Sequence, residues 1–280
     1  MIRYKGSVLI LVLWVVIVLS LLSIAISFSA SGDVKLARYE SENIKAMYLA
    51  KAGVVKLIAD IKKDPNNYDS LNEDWNFENE LRFGGGVVTY SAADEERRLN
   101  LNGHSQNLKE GLSRLGLEDG ISQRIWDYKV MKGEEGFEFM EELFLIDGMT
   151  KEIYSTIEPY VTIYIGTDSK VNINTVSENV LKAVVEDDMV LDKILEYRRG
   201  YDGVDGSDDD RIFTDENFSL TFTDFGITPE NIINYQNLFV VKSNFFRIHA
   251  KVSFSEDKGI AKTAICITDR NGEVCYWREE

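Results

Sequence analysis

The feature that most constrains this chain is an uncharged stretch, residues 7–31, close to the N-terminus. Within it, residues 8–19 form an unbroken run of twelve apolar residues, VLILVLWVVIVL. A helix from Val8 to Phe28 would span about 30 Å at roughly 1.5 Å per residue, which is the thickness of the hydrocarbon core of a bilayer. The sequence therefore predicts a transmembrane helix over residues 7–30.

A six-residue leader, residues 1–6, stands in front of this run and has the sequence MIRYKG. It is too short to hold the apolar region that precedes the cleavage site of a secretory signal peptide. Because its basic residues come before the apolar run, we expect the run to be retained. The positive-inside rule places Arg3 and Lys5 on the cytoplasmic side of the membrane.

Charge is distributed unevenly along the chain, whose net charge is −16. Residues 1–63 contain nine Lys or Arg and four Asp or Glu, whereas residues 64–280 contain 22 and 43. With the leader in the cytoplasm, we expect this acidic portion on the opposite side of the membrane. Such a surface repels phosphate backbones and attracts cations or basic partners.

Helical periodicity continues beyond the predicted membrane span. An apolar stripe at three- or four-residue spacing comprises Met47, Ala50, Val54, Leu57, Ile58 and Ile61. Asp64 and Pro65 then end the pattern. We predict one helix over residues 7–63 with a bend at Gly32; the alternative is two helices broken at residues 31–33.

The remaining sequence predicts β structure on both sides of a helical region, and hence an α+β fold. We predict one α/β unit, residues 31–102 and 236–280, with a mainly helical insertion, residues 103–235. The predicted strands are residues 86–92, 158–165, 246–254, 260–268 and 273–278. The predicted helices are residues 108–115, 122–131, 137–146, 150–157 and 178–199.

An Asn-apolar-Asn element occurs twice, at residues 100–102 and 172–174, and each copy precedes a helical pattern. Asn and Thr are favourable N-cap residues, because their side-chain oxygen accepts a free amide of the first turn. Residues 175–178, Thr-Val-Ser-Glu, also fit a capping box. We therefore expect these elements to cap the helices that follow.

Two cysteines, Cys266 and Cys275, flank a predicted turn at residues 269–272. In a register that closes on Arg270-Asn271 they face each other, which would permit a disulfide in an oxidising compartment. In a register with a bulge at Gly272 they point to opposite faces of the hairpin. The sequence leaves both registers open.

Several segments, taken in order, resemble the K subunits of type II secretion systems, which are large minor pseudopilins. They are KGSVLILVLWVVIVLSLLSI from Lys5, AMYLAKAGV from Ala46, DEERRLNLN from Asp94, EELFLIDGM from Glu141, VNINTVSENVLKAV from Val171, SNFFRIHAKV from Ser243 and CYWRE from Cys275. The resemblance implies a pilin-like fold with a large helical insertion. It also implies cleavage by a prepilin peptidase between Gly6 and Ser7, with Ser7 as the residue that becomes N-methylated.

The resemblance further implies a structural role at the tip of a periplasmic fibre. The expected partners are the I- and J-type minor pseudopilins and the major pseudopilin, with the chain anchored once in the inner membrane. Most pilin-like proteins have a glutamate five residues after the cut, where this chain has Leu11. A chain without that glutamate cannot use it to dock beneath a subunit already in place, which suits the tip.

Residues 145–150 resemble a helix-hairpin-helix turn, which would bind phosphate through backbone amides. A nucleic-acid-binding copy should carry Lys or Arg around the turn. Here Glu141, Glu142, Asp147 and Glu152 surround it, with Lys151 as the opposing charge. We therefore interpret it as a compact turn and expect no nucleic-acid partner; a membrane-tethered DNA receptor is an alternative function.

An acidic loop, residues 202–210, holds five carboxylates and two glycines. Oxygen ligands and tight turns suit Ca²⁺, although the spacing is not that of an EF-hand. The resemblance to pseudopilins favours calcium as a cofactor, and a solvated loop is the alternative. The candidate ligands are Asp202, Asp205, Asp208, Asp209 and Asp210.

The sequence carries no pattern typical of an enzyme. It has neither a phosphate-binding loop nor a nucleophile motif with its partners. Its histidines are His104 and His249, and two cysteines are too few for a Cys₄ metal site. A non-enzymatic assembly protein of a secretion fibre is the function the sequence favours, with a minor pilin of a type IV pilus as the other alternative.

Overall fold

The structure is a computed structural model that describes residues 5–104, 107–166, 169–254 and 262–280. Its α-helices are α1 Lys5–Lys63, α2 Leu108–Arg114, α3 Asp119–Lys132, α4 Lys151–Ile157, α5 Glu178–Val184, α6 Asp188–Arg198, α7 Phe218–Asp224 and α8 Pro229–Leu238. Short 3-10 helices lie at Asp74–Asn76, Met140–Leu145 and Glu158–Tyr160. The strands are β1 Asn79–Phe83, β2 Gly86–Asp94, β3 Leu99–Asn100, β4 Val161–Thr162, β5 Val171–Asn172, β6 Phe239–Val240, β7 Phe245–Ser253, β8 Lys262–Asp269 and β9 Val274–Glu279.

The first helix, α1, is continuous over 59 residues, as predicted from its periodicity. Gly32 lies inside α1 without interrupting the helix, so the alternative of two helices broken at residues 31–33 is wrong. Lys62 and Lys63 occupy its last turn, where positive charge is favourable at the negative end of the helix dipole. Pro65 follows directly and cannot continue the helical hydrogen bonds.

The main sheet has five antiparallel strands in the order β1-β2-β7-β8-β9. Strand β2 alternates strictly between buried and half-buried residues, and β7 buries Phe246, Ile248, Ala250 and Val252 on one face. This is the alternation that the sequence predicts for residues 246–254. The predicted C-terminal meander and the α+β class are confirmed, while residues 260 and 261 of its middle strand lie outside the described residues.

The second half of α1 packs on the inward face of this sheet. A Cβ atom at Gly53 would lie 2.8 Å from Val88 Cγ1, so glycine permits the close approach of helix and sheet. Leu57 and Ile61 lose almost all exposure there, and each such burial contributes roughly 1.5–3 kcal/mol. On the helix side, the buried residues of this core are Ala46, Leu49, Ala50, Val54, Leu57 and Ile61.

A second hydrophobic core lies within the chain segment between β2 and β7. The residues of the sheet core end at Ala92 and resume at Phe246, whereas those of the second core begin at Leu99 and end at Val241. The helical segment is thus an insertion between two neighbouring strands of the main sheet. The predicted boundaries at residues 102/103 and 235/236 remain predictions.

The two Asn-apolar-Asn elements begin two structural repeats. Strand β3 pairs in parallel with β4, and β5 pairs in parallel with β6, so residues 99–162 and 171–240 each start and end at a two-stranded ladder. Asn102 donates to the carbonyl of Phe137 and accepts from its amide; Asn174 makes the same pair of bonds with Phe213. The repeated sequence element is therefore a structural duplication.

The expected capping role of these elements is wrong. The side chain of Ser177, rather than Thr175, caps α5 by accepting from the amide of Val180. Thr175 instead donates its hydroxyl hydrogen to the buried carboxylate of Asp94. The side chains of Asn102 and Asn174 already bond to the backbone of a phenylalanine in their own repeat, so they cannot also cap the next helix.

Three predicted elements differ in the structure. Residues 158–165 are not one strand, because Pro159 sits in the first turn of a 3-10 helix before the two-residue strand β4. Residues 178–199 form two helices, since Asp187 caps the second by accepting from two amides. The predicted helix at residues 137–146 is the 3-10 helix Met140–Leu145.

Candidate functional site

The N-terminal half of α1 is a helical stem that stands clear of the folded domain. Its apolar side chains are exposed along the predicted membrane span, with Trp14 63% and Phe28 78% exposed. Within the part of the chain that the structure describes, one helix is long and apolar enough to cross a membrane. The stem is consistent with a single-pass membrane anchor.

The predicted cleavage site lies at the start of this stem. Gly6 and Ser7 fall in the first turn of α1, which begins at Lys5, whereas Arg3 lies outside the described residues. A cut between Gly6 and Ser7 would leave the rest of the helix intact. This processing site remains a prediction. Leu11 presents an exposed apolar side chain four residues further along the helix.

Beyond the stem, α1 carries apolar residues on the side away from the sheet. Ile44, Tyr48 and Val55 are each more than half exposed, while Leu49 and Val54 between them are buried against the sheet. Val34, Leu36 and Tyr39, nearer the stem, are also exposed, but they point to different sides of the helix. The helix thus packs on its own domain by one face and leaves an apolar face, formed by Ile44, Tyr48 and Val55, without cover.

A buried ion pair lies at the junction of the two cores. Glu95 is fully buried and accepts two hydrogen bonds of 2.8 Å from Arg247 and one of 2.6 Å from the hydroxyl of Thr162. Burial alone would raise the pKa of Glu95, but the bonds and charge of Arg247 and the charge of Arg98 outweigh it, so the pKa is lowered. Glu95 and Arg247 are therefore both charged, and through the bond from Thr162 to Glu95 this ion pair connects β7 to the insertion.

Asp94, the neighbouring residue, is a second fully buried carboxylate of the same junction. It accepts from the hydroxyls of Thr175 at 2.5 Å and Ser243 at 2.7 Å, and from the amide of Glu96 at 2.8 Å. Burial is the main cause that raises the pKa of Asp94 to about 6. These polar groups fix the orientation of the insertion relative to the sheet.

The carboxylates of the acidic loop bind groups of the loop and of α6. Asp205 accepts from Arg198 at 2.8 Å and from Arg199 at 3.3 Å. Asp209 accepts from the amides of Tyr201 and Asp202, and its pKa is lowered chiefly by the hydroxyl of Ser207. Asp202 and Asp210 likewise accept from amides within the loop.

The described residues of this loop contain no group of three carboxylates whose oxygens lie within 4.8 Å of one another. The loop is thus held by its own amides and two arginines rather than by carboxylates arranged around one point. Calcium binding by Asp202, Asp205, Asp208, Asp209 and Asp210 stays a prediction.

Two helix hairpins that the sequence analysis missed join α2 to α3 and α7 to α8. Each turns at a glycine with positive φ, Gly116 at 95° and Gly226 at 84°, a conformation that favours glycine. The amides of Leu117 and Ile227 bond to carbonyls five residues back in both hairpins. The Leu-Gly-Leu and Phe-Gly-Ile segments between apolar helices were the signal available.

These hairpins lack the chemistry of a phosphate site. The second helix of each begins with acidic residues, Asp119 in α3 and Glu230 in α8. Asp147 and Glu152 are also exposed around the turn predicted from the sequence, where Gly148 has a φ of 84°. Carboxylates thus stand where a helix N-terminus would otherwise attract an anion.

Comparison with known proteins supports this architecture. Residues 5–55 match the family model described as PilX N-terminal. A search of curated protein sequences gives no match. A chain in the crystal structure of the GspK-GspI-GspJ complex from the enterotoxigenic Escherichia coli type 2 secretion system superposes with a TM-score of 0.62 and 14% identity, covering 87% of this chain and 99% of that chain.

This chain has the fold of that secretion-complex subunit. The match covers too much of both chains to be explained by the long helix alone. The long N-terminal helix, the antiparallel sheet and the helical insertion predicted for a K-type pseudopilin are therefore confirmed at the level of fold.

The two cysteines of the main sheet do not face each other. Cys266 lies opposite Trp277, and a register shift beside Thr268 leaves Cys275 in a bulge. The hairpin closes through the amide of Asp269 and the carbonyl of Glu273, with Gly272 at a φ of 88°. Both cysteines are free, Cys266 buried and Cys275 exposed, so the facing register and its candidate disulfide are not formed.

The two histidines stand apart from any acid–base constellation in the described residues. His249 is half-buried on β7, and burial lowers its pKa. His104 lines a cavity that Lys129 also lines. Neither arrangement resembles a nucleophile with its base.

Proposed function

We propose that this chain is a minor pseudopilin of a type II secretion system that forms the tip complex, and so initiates and caps the periplasmic pseudopilus for the export of folded proteins. The observation that carries the proposal is the fold match over 87% of this chain and 99% of a chain from a secretion complex. The pilin-type match of residues 5–55 supports the role of the stem. The proposed role is structural and not enzymatic.

The proposed partners are the I- and J-type minor pseudopilins and the major pseudopilin. The complex that contains the similar chain is composed of GspK, GspI and GspJ. The exposed apolar face of α1, formed by Ile44, Tyr48 and Val55, is the surface proposed to pack against the helices of these neighbours. Apolar helix faces in fibres associate by burying such stripes.

The proposed topology is a single pass through the inner membrane, with a cytoplasmic N-terminus and a periplasmic C-terminal domain. The basic residues Arg3 and Lys5 before the span support this orientation. Prepilin peptidase would then cleave between Gly6 and Ser7 on the cytoplasmic side. Leu11 supports the tip position, because a chain without a glutamate there cannot use that carboxylate to dock beneath an existing subunit.

The test is deletion of this gene followed by fractionation of exported proteins and affinity purification of the tagged, complemented chain. We expect exoproteins to accumulate in the periplasm of the deletion strain, and the I- and J-type subunits to copurify with the tagged chain. Normal secretion with loss of surface pili would instead favour the second candidate, a minor pilin of a type IV pilus. Tight, salt-sensitive DNA binding in a filter assay would contradict both fibre roles.

A further inference from the structure

Asparagine followed by glycine occurs twice in the chain, as Asn102-Gly103 and as Asn271-Gly272. Asparagine is thermolabile because its side-chain amide can be lost spontaneously. A following glycine promotes this reaction, since it has no Cβ atom to keep its backbone nitrogen away from the carboxamide. The first pair lies in the insertion and the second in the turn between β8 and β9. Because the two pairs have the same covalent chemistry, their surroundings decide which of them reacts.

The carboxamide of Asn102 is fixed at both of its polar atoms. Its nitrogen donates to the carbonyls of Phe137 at 2.9 Å and Ile163 at 3.1 Å, and its oxygen accepts from the amide of Phe137 at 2.7 Å. The side chain would have to turn away from all of these partners before its carbon atom could be attacked. Asn102 can therefore react only when its repeat of the insertion opens.

Asn271 is exposed in its turn and is held far less firmly. Among the described residues its carboxamide bonds to Asp269 alone, through a 3.2 Å hydrogen bond from Nδ2 to the carboxylate. The amide of Gly272 donates to the carbonyl of Asp269 at 3.0 Å, which is a bond that closes the turn. Exposed turn bonds of this kind open locally without unfolding the domain, and such an opening frees both reacting groups.

A positive charge lies close to the second residue of this pair. A Cβ atom at Gly272 would be 3.6 Å from Nζ of Lys62, which belongs to the last turn of α1. Lys62 forms no ion pair with another described residue. Its ammonium group therefore favours the negative charge that develops when the nitrogen of Gly272 loses its proton and attacks the carboxamide.

We propose that Asn271 is a self-modification site, at which the chain converts its own carboxamide into a carboxylate with water as the co-reactant. The backbone nitrogen of Gly272 gives its proton to solvent and forms a bond to Cγ of Asn271. The bond between Cγ and Nδ2 breaks, and ammonia leaves with a proton taken back from solvent, so that a five-membered cyclic imide remains. Water then adds to either carbonyl and opens the ring. The products are aspartate and isoaspartate, in which the main chain runs through the former side chain.

The turn that contains Asn271 is fastened to the end of α1 on both sides of this residue. Arg270 donates to the fully buried carboxylate of Asp69 and, at 3.3 Å, to the carbonyl of Ile61 in the last turn of the helix. Gly272 approaches α1 so closely that a Cβ atom there would lie 3.0 Å from a side-chain carbon of the helix. Asn271 thus stands between two residues whose positions are fixed by the rest of the domain.

The two products affect this attachment differently. Isoaspartate adds one carbon atom to the main chain between Arg270 and Gly272, so the turn cannot keep both contacts with α1 together with its closing hydrogen bond. Aspartate leaves the main chain unchanged and adds a negative charge to an exposed side chain. Isoaspartate should therefore loosen the turn from α1, whereas aspartate should leave it in place. This inference concerns the chemistry of the turn and does not depend on the proposed function.

The test is incubation of the purified full chain in detergent and in water enriched in heavy oxygen, followed by peptide mass spectrometry. Each hydrolysed imide takes up one oxygen atom from this water, which separates modification during the incubation from earlier modification. Electron-transfer fragmentation distinguishes isoaspartate from aspartate. We expect modified Asn271 to accumulate in the folded chain, and faster at mildly alkaline than at neutral pH, because the nitrogen of Gly272 must lose its proton.

Asn102 is the matched control within the same chain. In the folded chain it should react at least about tenfold more slowly than Asn271, and in urea, where its hydrogen bonds are absent, the two should react at similar rates. Asn271→Gln should abolish modification of the turn, since glutamine would have to form a larger ring. It should melt as the original chain does, because the side chain is exposed.

Two results would overturn the proposal. One is an intact Asn271 in the folded chain under conditions in which both asparagines react in urea. The other is an equal rate for Asn102 and Asn271 in the folded chain, because both would then react from the unfolded state.

Melting curves test the predicted loosening of the turn. Chains enriched in isoaspartate should melt about 2–8 °C below the fresh chain, whereas Asn271→Asp, which copies the aspartate product, should melt as the fresh chain does. Equal melting temperatures for the isoaspartate chain, the Asn271→Asp chain and the fresh chain would refute the loosening. An equal loss in the first two would refute the lengthened main chain as its cause.

Discussion

At the scale of single residues, Asp94 sets the response of the folded domain to pH. Its carboxylate is fully buried, and burial raises its pKa to about 6 from the ordinary value of 3.8. The folded chain therefore holds this proton more tightly than the unfolded chain between about pH 4 and pH 6. Stability from Asp94 is present at low pH and is lost as the pH rises through this window.

We therefore expect the free energy of unfolding to be about 1–2 kcal/mol larger at pH 5 than at pH 7 from Asp94 alone. The raised pKa values of Asp69 and Glu73 act in the same direction. Asp94→Asn should remove its share of this difference. Urea unfolding of the full chain in detergent at both pH values measures it. An unchanged pH dependence in Asp94→Asn would show that the junction does not titrate as described.

The Glu95–Arg247 pair predicts a large loss when one partner is removed. Arg247→Met would leave the buried carboxylate of Glu95 without its bidentate donor, which costs about 3–5 kcal/mol. Lys182→Ala is the control, because its exposed pair with Glu178 on α5 is worth about 0.3–0.5 kcal/mol. Thermal unfolding compares them, and Glu95→Gln combined with Arg247→Met should recover much of the loss. Equal small losses in both single variants would refute a stabilising role for this pair.

At the scale of elements, α1 is one helix with two environments, and its glycines report on them. Gly53 faces the sheet, where a Cβ atom would lie 2.8 Å from Val88 Cγ1, whereas a Cβ atom at Gly32 meets nothing within 4 Å. Gly53→Val should therefore weaken the docking of α1 and cost about 1–3 kcal/mol through overpacking. Gly32→Ala should instead stabilise the helix by up to about 1 kcal/mol.

Melting temperatures of the two glycine variants, together with protease cleavage near residue 64, measure this difference. Faster cleavage and a lower melting temperature are expected for Gly53→Val alone. If Gly32→Ala proved the more damaging change, the continuous helix would be the wrong description of α1.

Elements with strong periodicity were predictable from the sequence. The stripe from Ala50 to Ile61 predicts α1, and the alternation from Phe246 to Val252 predicts β7, because each pattern repeats long enough to define one buried face. Short elements were not predictable from the sequence, because a single residue determines where such an element begins or which type it adopts. Asp187 starts a new helix inside an apolar pattern, and Pro159 fits a 3-10 turn as well as a strand entry.

At the scale of the whole molecule, the insertion is a duplicated unit set between two adjacent strands. The sequence carried this in two asparagines per repeat, and the structure shows why: Asn102 and Asn174 each bind both backbone groups of a phenylalanine, 35 and 39 residues away. The repeated Asn-apolar-Asn element could predict the duplication. It could not predict the parallel ladders that close each repeat, because the strands of these ladders have only two residues each.

The candidate sites were less predictable than the fold, because composition locates charge without showing where it converges. The acidic loop is the densest run of carboxylates, yet its members bind their own amides and two arginines. The attachment of the turn around Asn271 to the end of α1 depends on the bonds between Arg270 and Asp69, about 200 residues apart in the sequence. The register of the two cysteines was not predictable either, because the sequence allowed two registers for the same hairpin. The structure has the register with a bulge, which separates Cys266 from Cys275.

The proposed role in a secretion fibre requires a stem that is retained after the leader is removed. The mass of the mature N-terminal peptide, measured on the chain purified from membranes of a strain with an active prepilin peptidase, tests this most directly. We predict a chain that starts at Ser7 and is methylated there, and an uncleaved chain when Gly6→Val blocks processing. A mature chain that begins at Met1, or one cut near Ala30 and released without its stem, would rule out this role.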